Sequence, residues 1–203
     1  MHYIPNPVLR ERARKIRKRD EPALRKLVDD MIDSMYYYEG VGLAANQVGS
    51  LKRVCVIQMP EDEEPTVLLN LTITRKDGER EVTEGCLSLP GWQGRILRAE
   101  KVWARAIDMD GNPVRYKGVD ELLAQALEHE CDHLDGVLFT DHLRSKDDLY
   151  EVEEGEEEEG EGTVAVDNGS ECHDCGEVFA PGASMAPCVD QGHYVAPILD
   201  CPV

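Results

Sequence analysis

An α+β domain is predicted, and three observations predict it. Two stretches carry apolar residues at helical spacing. The segments between them are rich in β-branched residues and closed by turn residues. Strands and helices are segregated along the chain instead of alternating. At 203 residues the chain holds one domain of ordinary size plus an appendage.

The first helix is expected over Glu21 to Glu39, where Leu24, Leu27, Val28, Met31, Met35 and Tyr36 form one apolar face. After it come "RVCVIQM", "TVLLNLTITR", "EVTEGCLSLP" and "KVWARAIDMDGNPVRYKG", which read as strands. Lys76-Asp77-Gly78 and Asp110-Gly111-Asn112-Pro113 supply the turns. A second helix is expected from Asp120 to Leu134, with Asp120 as its N-cap.

Charge divides the chain after Asp148. Before that point 22 basic residues face 27 acidic ones, whereas the last 55 residues carry 14 acidic residues and no lysine or arginine. Residues 1–148 are therefore expected to form the folded domain and residues 149–170, with "EVEEGEEEEGEG", an acidic disordered linker. Residues 171–203 regain cysteine, proline and apolar residues, which suggests a small Cys-rich module. The N-terminus lacks the apolar core of a secretory signal, and no apolar run approaches the roughly 20 residues of a membrane span. A cytoplasmic protein with no membrane partner is expected, and its seven cysteines then read as metal ligands or core thiols.

In "ALEHECDHLDGVLF", His129 and His133 stand four apart, on one face of the second helix, with Glu130 beside the first. This HEXXH pattern suits a cation held by two imidazoles, with the glutamate near a metal-bound water. Three sources for a third ligand are open. A metzincin protease would need a histidine where Phe139 stands, and phenylalanine cannot ligate. A gluzincin protease takes a later glutamate, but Glu151 and its neighbours lie in the linker. The third source is Cys86 in "EGCLSLP", since a thiolate and two imidazoles bind zinc or iron(II) well; a cysteine by itself is more often a core thiol.

"GVGLAANQVG" (Gly40 to Gly49), "EGCLS" (Glu84 to Ser88) and "HECDH" (His129 to His133) are similar to the three signature motifs of peptide deformylases, in the same order. "NPVLRERA" and "AEKVWARAIDMDGNP" also resemble that family, so the likeness covers about residues 1–145. It implies mixed or antiparallel strands around a central HEXXH-bearing helix, and a metal-dependent hydrolase that removes the N-formyl group from formyl-methionyl nascent peptides. Cys86, His129 and His133 would hold the metal, iron(II) with zinc or nickel able to substitute, and Glu130 would be the general base. Gln47 and the Leu87 backbone N–H would stabilise negative charge on the formyl oxygen. Gly42 would let backbone approach the substrate, while Val41, Val82, Leu122 and Ala126 would surround the methionine side chain. Glu84 and Arg98 would pair and brace the metal loop. Glu128 stands where the family often has glutamine, and Cys131 reads as a core residue.

Cys172, Cys175 and Cys188, with Cys201 or His193, have spacing that suits a structural zinc site in the tail. The resemblance implies transient contact with the ribosome and no DNA partner. The anionic tail would repel RNA, so docking would fall to the basic run Arg10 to Arg19. The rival readings are a zinc protease and a noncatalytic protein that keeps the fold to recruit a partner.

Overall fold

In the computed structural model, which describes residues 1–17, 22–152, 186–187 and 194–195, the chain forms two units, Met1–Gly155 and Glu156–Val203. The first unit begins with helix α1 (Pro22–Tyr37), which opens on a proline and buries Leu24, Val28, Met31 and Met35. Those positions follow the 3.6-residue period. Tyr36, expected on the same face, is half exposed instead. It follows Met35 directly, about 100° further round the helix, and so leaves the apolar stripe.

β1 (Gly42–Ala44), β2 (Val54–Ile57), β3 (Thr66–Asp77), β6 (Lys101–Ile107) and β7 (Pro113–Val119) make one antiparallel sheet in the order β1-β2-β3-β6-β7. All four residues of β2 are buried, and its alternation explains how. Val54 and Val56 join Leu43 and Leu69 under α1, while Cys55 and Ile57 join Ala44, Leu68 and Leu71 with the second helix, α2 (Glu121–Asp135). The two helices therefore cover opposite faces of one sheet, which is why β2 reads as an unbroken apolar run.

β4 (Arg80–Cys86), β5 (Leu89–Arg98) and β8 (Leu149–Glu151) form a second antiparallel sheet, with Val82, Ile96 and Phe139 as its small core. β8 pairs with Trp92, Gln93 and Gly94, so the folded unit continues past residue 148, where the linker was expected to begin. Alternate hydrogen bonding to β5, closed by the Val152 N–H on the Gly91 carbonyl at 2.8 Å, outweighs the acidic composition there.

α2 is fixed at its C-terminal end. Asp120 flanks its start, as expected, although its side chain makes no capping hydrogen bond. Gly136, at φ 78°, ends the helix, and the N–H groups of Gly136 and Val137 return to His133 and Asp132 at 3.0 and 2.9 Å. Buried Arg53 ties the last turn to the sheet. Its Nε donates to the Leu71 carbonyl at 2.9 Å, and its Nη1 donates to Leu134 O and Asp135 Oδ1 at 3.1 and 2.8 Å. In the second unit, β9 (Ala186–Pro187) and β10 (Tyr194–Val195) pair antiparallel. Among the described residues no helix is long and apolar enough to cross a membrane.

Candidate metal centre

The β4–β5 ladder shifts register between Gly85 and Cys86, so that Gly85 faces Gln93 while Cys86 faces Leu89. The extra residues, Pro90, Gly91 and Trp92, lie on β5, which bends there. Cys86 shares a face of β4 with Glu84, two residues before it, and so meets the helix, where its Sγ lies 3.2 Å from His133 Nε2, itself 3.1 Å from His129 Nε2. The three donor atoms lie within 4.8 Å of one another. Donors sharing one tetrahedral ion stand about 3.3–3.6 Å apart, from zinc–nitrogen and zinc–sulfur bonds of about 2.0 and 2.3 Å. The donor set and its spacing therefore fit a divalent cation.

Of the two imidazoles, His129 is oriented from behind, whereas the buried His133 Nδ1 has no hydrogen-bond partner among the described residues. Glu84 Oε1 lies 2.6 Å from His129 Nδ1, which leaves Nε2 to face the cluster. Glu84 is held by Arg98 through two hydrogen bonds at 2.9 and 2.6 Å, the pairing expected from the sequence. Arg98 also donates to Asp132 at 2.5 Å, and His142 lies 2.8 Å from the same carboxylate oxygen. On the far side, the Asn46 amide donates to the His133 carbonyl, and the Ser88 N–H reaches Cys86 Sγ at 3.4 Å.

Electrostatics follow from this burial and pairing. Burial raises the Glu84 pKa, but hydrogen bonds from His129 and Arg98 outweigh it and bring the group to about 2. Asp132 reaches about 2 in the same way, burial being outweighed by His142 and Arg98. Burial pulls His129 down, yet its contacts with Cys86 and Glu84 hold it well above the usual histidine range. His133, equally buried and beside His129, is pushed well below it.

Glu130 has a different environment. Its carboxylate is 2% exposed, and Oε2 has no hydrogen-bond partner. Burial, offset in part by the charge on His129, pushes its pKa up to about 7. Oε1 lies against Gly42, where an added Cβ would fall on it, so glycine at this position makes room for the carboxylate. Gln47 is locked as well. Its Oε1 accepts the Ala44 N–H at 2.8 Å, which turns its amide nitrogen to Ser88 Oγ at 3.1 Å and toward Cys86 Sγ at 3.7 Å.

Cys86, His129 and Glu130 line an open cleft of about 710 Å³ with Val41, Gly42, Gln47, Leu87, Leu122 and Ala126. Val82 does not line it. It packs with Ile96 and Phe139 in the small core of the second sheet. Phe139 stacks on His129 with centroids 6.5 Å apart and thus packs behind a histidine instead of ligating. Gly136 is the helix cap, and Cys131 is buried in the core. Asn46, Ser88, Tyr38 and Trp92 belong to the site or its rim and were not singled out by sequence reasoning; only Asn46 and Ser88 lay inside recognisable motifs. Cys172, Cys175, Cys188, His193 and Cys201 lie outside the described residues.

The comparisons with known proteins agree with this geometry. The polypeptide deformylase profile matches residues 1–148. A peptide deformylase of Dehalococcoides mccartyi strain CBDB1 is 48% identical over 149 residues, covering 73% of this chain and 88% of the relative. One from Thermomicrobium roseum is 42% identical over 168 residues, covering 79% and 94%. Among solved structures, a peptide deformylase from Legionella pneumophila superposes with a TM-score of 0.67 at 43% identity, covering 70% of this chain and 84% of that one. One from Synechococcus elongatus in complex with actinonin gives 0.68 at 39% identity, covering 73% and 80%. With its three motifs folded onto one cleft and relatives this similar across the same residues, the chain belongs to the polypeptide deformylase family.

Proposed function

We propose that the cleft hydrolyses the formamide of N-formyl-methionyl nascent peptides, releasing formate and a free methionine amine. The observation that carries this reading is Glu130, a buried carboxylate with one oxygen unpartnered beside three converging donor atoms. Cys86, His129 and His133 would hold a divalent cation, iron(II) with zinc or nickel able to substitute, which lowers the pKa of a bound water and polarises the formyl carbonyl. Glu130 takes the proton from the attacking water and delivers it to the departing nitrogen as the carbon–nitrogen bond breaks. The Gln47 amide, already turned toward the donor cluster, and the Leu87 N–H donate to the formyl oxygen as it gains charge. The backbone of Gly42 meets the peptide, and Val41, Leu122 and Ala126 offer the methionine side chain an apolar wall. Val82, packed with Ile96 and Phe139, is not among the residues that line the cleft. A substrate made during translation puts the enzyme in transient contact with the ribosome, in the cytoplasm.

Formate release from formyl-Met-Ala-Ser by the anaerobically metallated chain tests the reading. Glu130→Gln should keep its metal and lose about 1000-fold or more in kcat, whereas Cys86→Ala should lose metal and activity together. A fully metallated wild type that releases no formate would refute it.

A further inference from the structure

We propose that Lys76 is a positioning residue for the metal centre, acting through the Glu128 carboxylate on the guanidinium that orients His129; this rests on the metal reading above. Three carboxylates surround Arg98, and one guanidinium cannot neutralise them all. Glu84 takes Nε and Nη2, Asp132 takes Nη1 at 2.5 Å, and Glu128 Oε2 lies 3.9 Å from that same Nη1. Arg98 and Glu128 are buried, with side chains 1% and 2% exposed. Oε1 of Glu128 already accepts the Ala99 N–H at 2.8 Å. Oε2 is satisfied by the ammonium of Lys76, which reaches in from β3 on a side chain 49% exposed.

The geometry gives this lysine a specific task. Without it, the one other cation paired with the buried Oε2 among the described residues is Arg98 Nη1, in competition with Asp132. The guanidinium is a planar, rigid fork, so drawing Nη1 toward Glu128 also displaces Nε and Nη2 from Glu84. Glu84 then loses the two-point grip that sets its Oε1 at 2.6 Å from His129 Nδ1. By holding Oε2, Lys76 leaves Arg98 to Glu84 and Asp132. Glutamine at position 128 would keep an acceptor for Ala99 without the charge, and Lys76 would then be dispensable.

The test uses the full chain loaded with nickel(II), with release followed into excess chelator and counted only for the metal that the Cys86→Ala chain does not hold. Lys76→Met should release nickel about tenfold faster, the lower end of what losing an outer contact to a ligand histidine costs. Lys76→Arg should stay near wild type. The discriminating arm is Lys76→Met with Glu128→Gln, which should return to within about twofold of Glu128→Gln alone, since the coupling has been removed. Equal acceleration by Lys76→Met in both backgrounds overturns the route through Glu128. A wild-type rate in Lys76→Met overturns the proposal and leaves the metal reading standing, and a wild type that holds no more nickel than Cys86→Ala overturns both.

Discussion

Single side chains in the cleft are constrained from two sides, and that makes their substitutions informative. Gln47 fixes its carbonyl on Ala44 and so aims its amide N–H at the donor cluster. Gln47→Ala removes one preorganised donor and should cost about 100- to 1000-fold in kcat with metal content unchanged, read from formate release and metal analysis on the same samples. Gly42→Ala acts by a different route, because the new methyl falls on Glu130 Oε1 and must displace it. A loss of about 100-fold in kcat is expected, as for a small misplacement of a catalytic group, with little change in thermal midpoint. The sequence marked Gly42 for its backbone, but not for this reason. That Glu130 presses against it depends on how α2 lies over β1, a tertiary relation with no local signature. The aim of Gln47 was likewise hidden, since its partner Ser88 arrives from the turn between β4 and β5.

At the scale of elements, the lattice joining β4, β5 and α2 stores a dependence on pH. Glu84 and Asp132 are both held at about 2, below the ordinary carboxylate range, by Arg98 together with His129 and His142 respectively. A lowered folded-state pKa contributes stability that is fully present above the unfolded value near 4 and is lost as pH falls through the folded value. These two carboxylates should therefore make the thermal midpoint drop steeply between about pH 4 and 2. Arg98→Met should destabilise at neutral pH by about 3–5 kcal/mol, as expected when one partner of a buried pair is removed, and should flatten the acid slope. Thermal melts of both proteins across that range check the sign. The pairing of Glu84 with Arg98 was legible only as what the family resemblance implies, whereas both helices and most of the first sheet were legible in residue spacing. β5 beyond Pro90 was not, because Gly91, Trp92, Gln93 and Gly94 read locally as a break. Gly91 does sit at φ 75°, but within a strand that bulges and resumes.

For the molecule as a whole, the boundary between the folded domain and the acidic segment has a physical location that composition could not supply. Charge and glycine content change near Tyr150, yet Leu149–Glu151 pair with β5 and Val152 lines the cleft. A strand of three residues is too short to announce itself against glutamate-rich neighbours, and its backbone hydrogen bonds are independent of side-chain polarity. Two truncations separate the readings. A chain ending at Gly155 keeps β8 and should match the full chain in thermal midpoint and in formate release, since the complete first unit ends there. A chain ending at Asp148 removes β8, leaves β5 as an unpaired edge beside Cys86, and should lower the midpoint by several degrees and weaken metal retention. Metal analysis of the same pair addresses the tail: if Cys172, Cys175 and Cys188 with Cys201 or His193 bind zinc, the full chain should carry about one equivalent more than the chain ending at Gly155. Equal metal content would remove the tail site while leaving the catalytic centre untouched. Equal stability of the two truncated chains would show instead that the domain closes at Asp148, as composition suggested, and that β8 contributes nothing to holding the cleft.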